Sequence, residues 1–140
     1  MAGTHGKTTV TAMTARVVER GGLDPVALVG GRVDDWDGNA RVGNGPAIAE
    51  ADEYDRSFLE LAPHIAVVTN LEPEHLDCYD DVDDLEGAFA TFANRVSAFG
   101  AVILSCCARR WSRFIGLVRL FGTATGLLLV LHHFFFEFHE

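Results

Sequence analysis

This sequence predicts an α/β fold, a parallel sheet with flanking helices, on three observations. Short β-branched apolar runs alternate with helix-patterned segments, glycine-, asparagine- and aspartate-rich stretches separate them, and a glycine-rich turn leads straight into the first helix. The 140 residues, 49% apolar and 22% charged, suit one small domain.

The first helix is predicted from Val10, Met13, Val17 and Val18, which fall on one apolar stripe. Gly21-Gly22 and Pro25 stop it. VALV (26–29) reads as a buried strand ending at Gly30-Gly31, and RVDDWDGNARVGNG (32–45) reads as an irregular loop. A second short strand at 46–49 stops at the acidic cluster Glu50, Asp52, Glu53 and Asp55. IAVVT (65–69), bounded by Pro63 and Asn70, is the clearest strand. After the acidic loop NLEPEHLDCYDD comes a second helix, with Leu85, Ala88, Phe89, Phe92 and Val96 on one face and Asp83 with Glu86 at capping-box spacing. AVIL (101–104) is the next strand, and no internal repeat is evident.

The formal net charge of −9 argues against a surface that coats nucleic acid. Three cysteines, two of them adjacent at Cys106 and Cys107, make no disulfide framework and fit a reducing compartment. No basic and apolar leader opens the chain, so a cytoplasmic location is expected.

Gly3-Thr4-His5-Gly6-Lys7-Thr8 is the strongest chemical signal. Glycines let successive N–H groups point at phosphate oxygens, and the helix that follows adds its positive end. A lysine at this place reaches the β- and γ-phosphates, and the next hydroxyl ligates Mg²⁺. Lys7 is the only lysine in the chain, which suits a site residue and equally suits an arginine-rich coding bias. The match to the general phosphate-loop pattern is incomplete: Met1 stands where the first glycine belongs, and no strand-forming run precedes the loop. A glycine-rich turn that merely caps a helix is the plainer alternative. Glu50 closes a strand at the end where open α/β sheets gather ligands, and its carboxylate suits hard Mg²⁺. His75, in Asn70-Leu-Glu-Pro-Glu-His75, follows a second strand end; spacing alone fits a ligand or an ordinary loop histidine.

GTHGKTT, then EADEYDRSF (50–58), then VVTNLEPEHLDCY (68–79), resemble in order and spacing the central ATP-binding domain of the Mur ligases. Those enzymes add amino acids to the UDP-N-acetylmuramic acid precursor of bacterial cell wall. The loop form with His5 looks most like the branch that joins L-alanine to UDP-N-acetylmuramate; the branch that reattaches a recycled tripeptide ranks second. The resemblance implies a P-loop-type parallel sheet and a ligase that uses ATP and Mg²⁺ through an acyl phosphate. It implies that Lys7 holds the β/γ-phosphates, that Thr8 and Glu50 bind one Mg²⁺, that His75 ligates a second ion, and that Gly3, Thr4, His5, Gly6 and Thr9 complete the loop. Glu74 stands where many relatives have aspartate.

The resemblance covers about residues 2–105, so 1–105 is taken as a partial central ATP-binding domain. Family members have three domains, and nothing beyond 105 resembles their adenine-contacting segment. The chain alone is therefore not expected to ligate, and a non-catalytic Mg-ATP-binding module is the alternative. Seven basic and eighteen acidic residues precede position 101, whereas four arginines, two glutamates and six of the ten phenylalanines follow. This break leaves 106–140 as an unassigned apolar tail, ranked first as frameshifted or artificial sequence and second as an interfacial segment. A spanning helix is not expected, because the longest run free of charge and histidine, Leu120–Leu131, is short of the ~20 residues a bilayer needs. Cys106-Cys107 and His132-His133 lack zinc-motif spacing.

Overall fold

The computed structural model describes residues 1–72, 78–106 and 127–132, with Cys106 and 127–132 as backbone. Helix α1 spans Lys7–Arg20, followed by strands β1 (Val26–Val33), β2 (Gly38–Arg41), β3 (Ala47–Ala49) and β4 (Ile65–Val68); helix α2 (Val82–Asn94), β5 (Ala101–Cys106) and β6 (Leu127–His132) complete it. The strands form two three-stranded sheets in the orders β2-β1-β3 and β4-β5-β6. All pairings are parallel except β1 with β2. The predicted α/β class with a largely parallel sheet is what forms.

Gly22, at φ 86°, takes the left-handed position that ends α1, and Leu23 N closes back onto Val18 O at 3.2 Å. The expected stripe on α1 is not its buried face: Met13 is 63% and Val17 70% exposed, while Thr11 and Ala15 are fully covered. Small side chains let the helix lie close on β1, so the larger apolar residues are turned outward.

The segment expected to be an irregular loop forms a hairpin instead. β1 runs on through Gly30-Gly31 to Val33, a 3₁₀ turn covers Asp34–Trp36, and β2 returns antiparallel. Asp37 adopts a left-handed conformation at φ 51° just before Gly38, an Asp-Gly turn signal that the glycine-rich composition concealed. Arg32 ion-pairs with Asp37 at 2.6 Å across that turn.

In α2, Leu85, Ala88, Phe89 and Phe92 are buried as their spacing predicts, and Val96 is covered just past the helix end. The cap differs from expectation: Asp81 caps the helix by accepting from Asp84 N at 2.8 Å, two residues before the predicted box. Phe58, from a 3₁₀ turn at Ser57–Glu60, meets Phe89 and Phe92 with ring centroids 5.2 and 5.3 Å apart. Beyond the composition break, β6 pairs in parallel with all six residues of β5, from Ala101 with Leu127 to Cys106 with His132. Cys107, His133 and the rest of the apolar tail lie outside the described residues. No helix among the described residues is long and apolar enough to cross a membrane.

Candidate active site

The turn before α1 is shaped by two glycines at positive φ, Gly3 at 129° and Gly6 at 78°. Gly3 passes so close to the end of β4 that a Cβ there would lie 2.9 Å from Asn70 O. The segment after β4 holds the loop in place. Thr4 N donates to Asn70 O at 3.2 Å, His5 N to Asn70 Oδ1 at 2.7 Å, and Thr69 Oγ1 to His5 O at 2.6 Å. Thr4 Oγ1 accepts from Glu72 N at 2.8 Å, and the His5 ring stands 3.6 Å from the Glu72 carboxylate. No side chain caps α1 at Gly6, so no side-chain capping bond occupies its first-turn amides, as an anion site requires.

Lys7, Thr8 and Glu50 come together at this helix end. Thr8 Oγ1 donates to Glu50 Oε2 at 2.8 Å, and Gly30 N donates to the same oxygen at 2.6 Å. The glycines in β1 make this possible: a Cβ on Gly30 would stand 3.0 Å from Glu50 Oε1, and one on Gly31 would stand 3.3 Å from Thr8 Cγ2. Thr9 sits on the exposed side of the first turn. His75 and Glu74 lie outside the described residues. The neighbouring hydroxyl and carboxylate are hard oxygen donors of the kind Mg²⁺ takes, so these residues fit such an ion. Among the described residues, no group of three His, Cys, Asp or Glu side chains forms a metal site.

The residues that sequence reasoning missed surround this core. Glu53 is 2% exposed at its side chain and ion-pairs with Lys7 at 2.9 Å, while Lys7 Nζ also donates to Thr4 O at 3.3 Å. A buried acid three residues after Glu50 carries no separate sequence signature. Thr69, Asn70 and Glu72 did follow a parallel strand end, which was the available signal. Tyr79 donates its hydroxyl to Glu53 O at 2.6 Å, and burial pushes its pKa up to about 12. Arg56 stacks over the Tyr79 ring at 4.6 Å, donates to Cys78 O at 3.1 Å and ion-pairs with Asp84. Hydrogen bonding from Arg56 holds the Asp84 carboxyl below the usual carboxylate range. The acidic segment and the chain just past the His75 motif are thus clamped together.

A glycine turn feeding a helix, with lysine, threonine and a strand-end glutamate at the helix mouth, defines a phosphate-loop nucleotide-binding α/β domain. The Mur ligase middle domain matches residues 1–115, and the chain belongs to the Mur ligase family, a family of enzymes. It is 58% identical over 102 residues to the UDP-N-acetylmuramate–L-alanine ligase of Acidobacterium capsulatum, covering 72% of this chain and 22% of that one. With the protein of the same name from Myxococcus xanthus it shares 52% over 105 residues, covering 74% and 22%. The chain therefore spans 22% of the length of these curated relatives. Among solved structures, a UDP-N-acetylmuramate:L-alanyl-gamma-D-glutamyl-meso-diaminopimelate ligase from Neisseria meningitides matches 92% of this chain and 44% of its own, with TM-score 0.78 and 27% identity. The UDP-N-acetylmuramate-alanine ligase of Thermotoga maritima matches 94% of this chain and 28% of its own, with TM-score 0.71 and 28% identity.

Proposed function

We propose that this chain is the ATP-binding portion of a cytoplasmic, ADP-forming ligase that joins L-alanine to UDP-N-acetylmuramate in peptidoglycan synthesis. The observation that carries the reading is the contact of Thr8 with Glu50 at 2.8 Å beside Lys7, at the uncapped start of α1. Lys7 offsets the charge of the β- and γ-phosphates, and the amides of the loop receive their oxygens. Thr8 and Glu50 would hold Mg²⁺, and His75 would serve a second ion. Bound there, the ion would supply charge neutralisation on the phosphoryl oxygens. The reaction class is phosphoryl transfer from ATP to a carboxylate, followed by attack of the amino group on the acyl phosphate and loss of phosphate. Residues 1–105 would be the part of the central ATP-binding domain present here.

A tripeptide-adding specificity is the second reading, favoured by the TM-score of 0.78 to the Neisseria enzyme. Identity of 58% to an alanine-adding enzyme against 27% to that one supports alanine.

Calorimetry with Mg-ATP tests the nucleotide reading. The intact chain is expected to show saturable binding, and Lys7→Ala to weaken it at least about tenfold, the equivalent of ~1.4 kcal/mol. Equal affinity in both proteins, or none in the intact chain, would overturn it.

A further inference from the structure

The Lys7 ammonium meets a carboxylate whose backbone is held from two sides. Both lone pairs of the Glu53 carbonyl are taken, by Arg56 N at 3.2 Å and by the Tyr79 hydroxyl at 2.6 Å. Glu53 is fixed in this way with its buried carboxylate 2.9 Å from Lys7 Nζ. Behind it stands the Arg56 guanidinium, which donates to Cys78 O through Nε at 3.3 Å and Nη2 at 3.1 Å. The same guanidinium pairs with Asp84, whose carboxylate also accepts from Asp80 N at 3.1 Å. Asp84 lies in the first turn of α2, and Leu85, Phe89 and Phe92 root that helix in the core. A line of contacts therefore runs from the core through Asp84, Arg56, Tyr79 and Glu53 to Lys7.

Two features set this line apart from ordinary packing. Arg56 takes a left-handed conformation at φ 61°, which costs a residue with a Cβ and persists only where its surroundings fix it. Glycine would adopt that turn more easily, so the position favours arginine for its side chain. Tyr79 is buried, and a phenylalanine would fill the same space with no polar group to satisfy. Its hydroxyl donates instead to the one carbonyl that orients Glu53.

Lysine carries its charge on a flexible four-carbon stem, with no planar fork to orient it. Where such an ammonium waits is set by the acceptor that holds it. We propose that Arg56 and Tyr79 are positioning residues for Lys7. Through Glu53 they fix where its ammonium stands before a nucleotide arrives, a role that rests on Lys7 being the lysine that meets the phosphates.

The test uses the whole chain with isotope-labelled lysine. Lys7 is the only lysine, so a single ammonium signal in magnetic resonance reports on it. Exchange of its protons with water requires the group to leave its acceptors, so the rate measures how firmly it is held. Tyr79→Phe keeps the ring beneath Arg56 and removes only the hydroxyl, whereas Arg56→Gln removes the charged fork. Each is expected to speed Lys7 ammonium exchange at least about tenfold and to weaken Mg-ATP binding about threefold or more by calorimetry. Tyr79→Phe decides alone should Arg56→Gln fail to fold. Arg41→Ala, which loosens the molecule away from this line, is expected to leave the Lys7 signal unchanged. Unchanged exchange in Tyr79→Phe would overturn the proposal, as would a Lys7 ammonium that exchanges freely in the unsubstituted chain. So would faster exchange without weaker Mg-ATP binding, or the same acceleration in Arg41→Ala. If the unsubstituted chain binds no nucleotide, the nucleotide reading is what fails, and exchange alone judges the hold on Lys7.

Discussion

The half of the molecule built on β4, α2 and β5 gathers Phe58, Phe89, Phe92, Leu85 and Leu104 into one buried cluster. The half built on α1, β1, β2 and β3 buries smaller groups, Thr11, Ala15, Pro25, Ala27 and Val29, and closes its surface with charge. There Arg41 pairs with Glu19 and with Asp24, each at 3.0 Å, and Arg16 pairs with Glu19 at 3.1 Å. The phosphate loop crosses from one half to the other, anchored by Asn70 on the apolar side and by Glu50 on the charged side. The side that carries Lys7 and Thr8 needs a helix lying close on a glycine-bearing strand, and that geometry leaves no room for large apolar side chains. Bulk is placed where no ligand must enter.

Cutting the aromatic cluster should have the largest effect. Phe89→Ala is expected to destabilise the chain by about 3–5 kcal/mol in urea denaturation, with little dependence on salt. If β1 loses exchange protection together with β5, the two halves unfold as one unit; protection lost in β5 alone would separate them.

A smaller loss is expected from Arg41→Ala, which removes a cation shared by two carboxylates on the charged half. Its cost should shrink as salt is raised, because its two carboxylate partners are partly open to solvent and so to screening. A cost unchanged between low and high salt would show that packing of the arginine stem, rather than charge, holds this half.

Acid should produce the mildest change and should start on the same side. Hydrogen bonds from Arg16 and Arg41 lower the Glu19 pKa, and the Asn44 amide followed by Arg41 lowers that of Asp24. With folded values depressed, the unfolded chain takes up protons first as pH falls. The stabilisation is thus complete above the ordinary carboxylate range and is lost as pH drops through the depressed folded values. Amide exchange in β1 and β2 should accelerate before that in β5 on acidification; the reverse order would break the comparison.

Much of the fold was legible because burial and sequence pattern coincide in the apolar half. IAVVT and the face from Leu85 to Val96 are apolar where they are covered. The pattern misleads on α1, since Thr11 and Ala15 face the sheet by virtue of their size while Met13 and Val17 do not. The hairpin escaped because its strands carry glycine, asparagine and arginine, and its stability comes from the Asp37-Gly38 turn and ion pairs rather than from an apolar run. At the site, Lys7, Thr8 and Glu50 could be found from loop spacing and strand ends. Glu53 and Arg56 act through contacts between distant segments, which no local pattern encodes.

The ion pair between Lys7 and Glu53 has a consequence for what the loop admits. One ammonium already has a buried carboxylate as its companion, and Glu50 brings a second negative charge to the same mouth. On the proposed function, an incoming polyphosphate would not find a bare positive cradle; it would have to displace one anion and approach another. On the same reading, capture would then be an exchange of counter-ions, in which a bare triphosphate would be repelled and a cation-bearing one favoured. Such a pocket would screen its visitor by net charge before any feature of the base or sugar is felt.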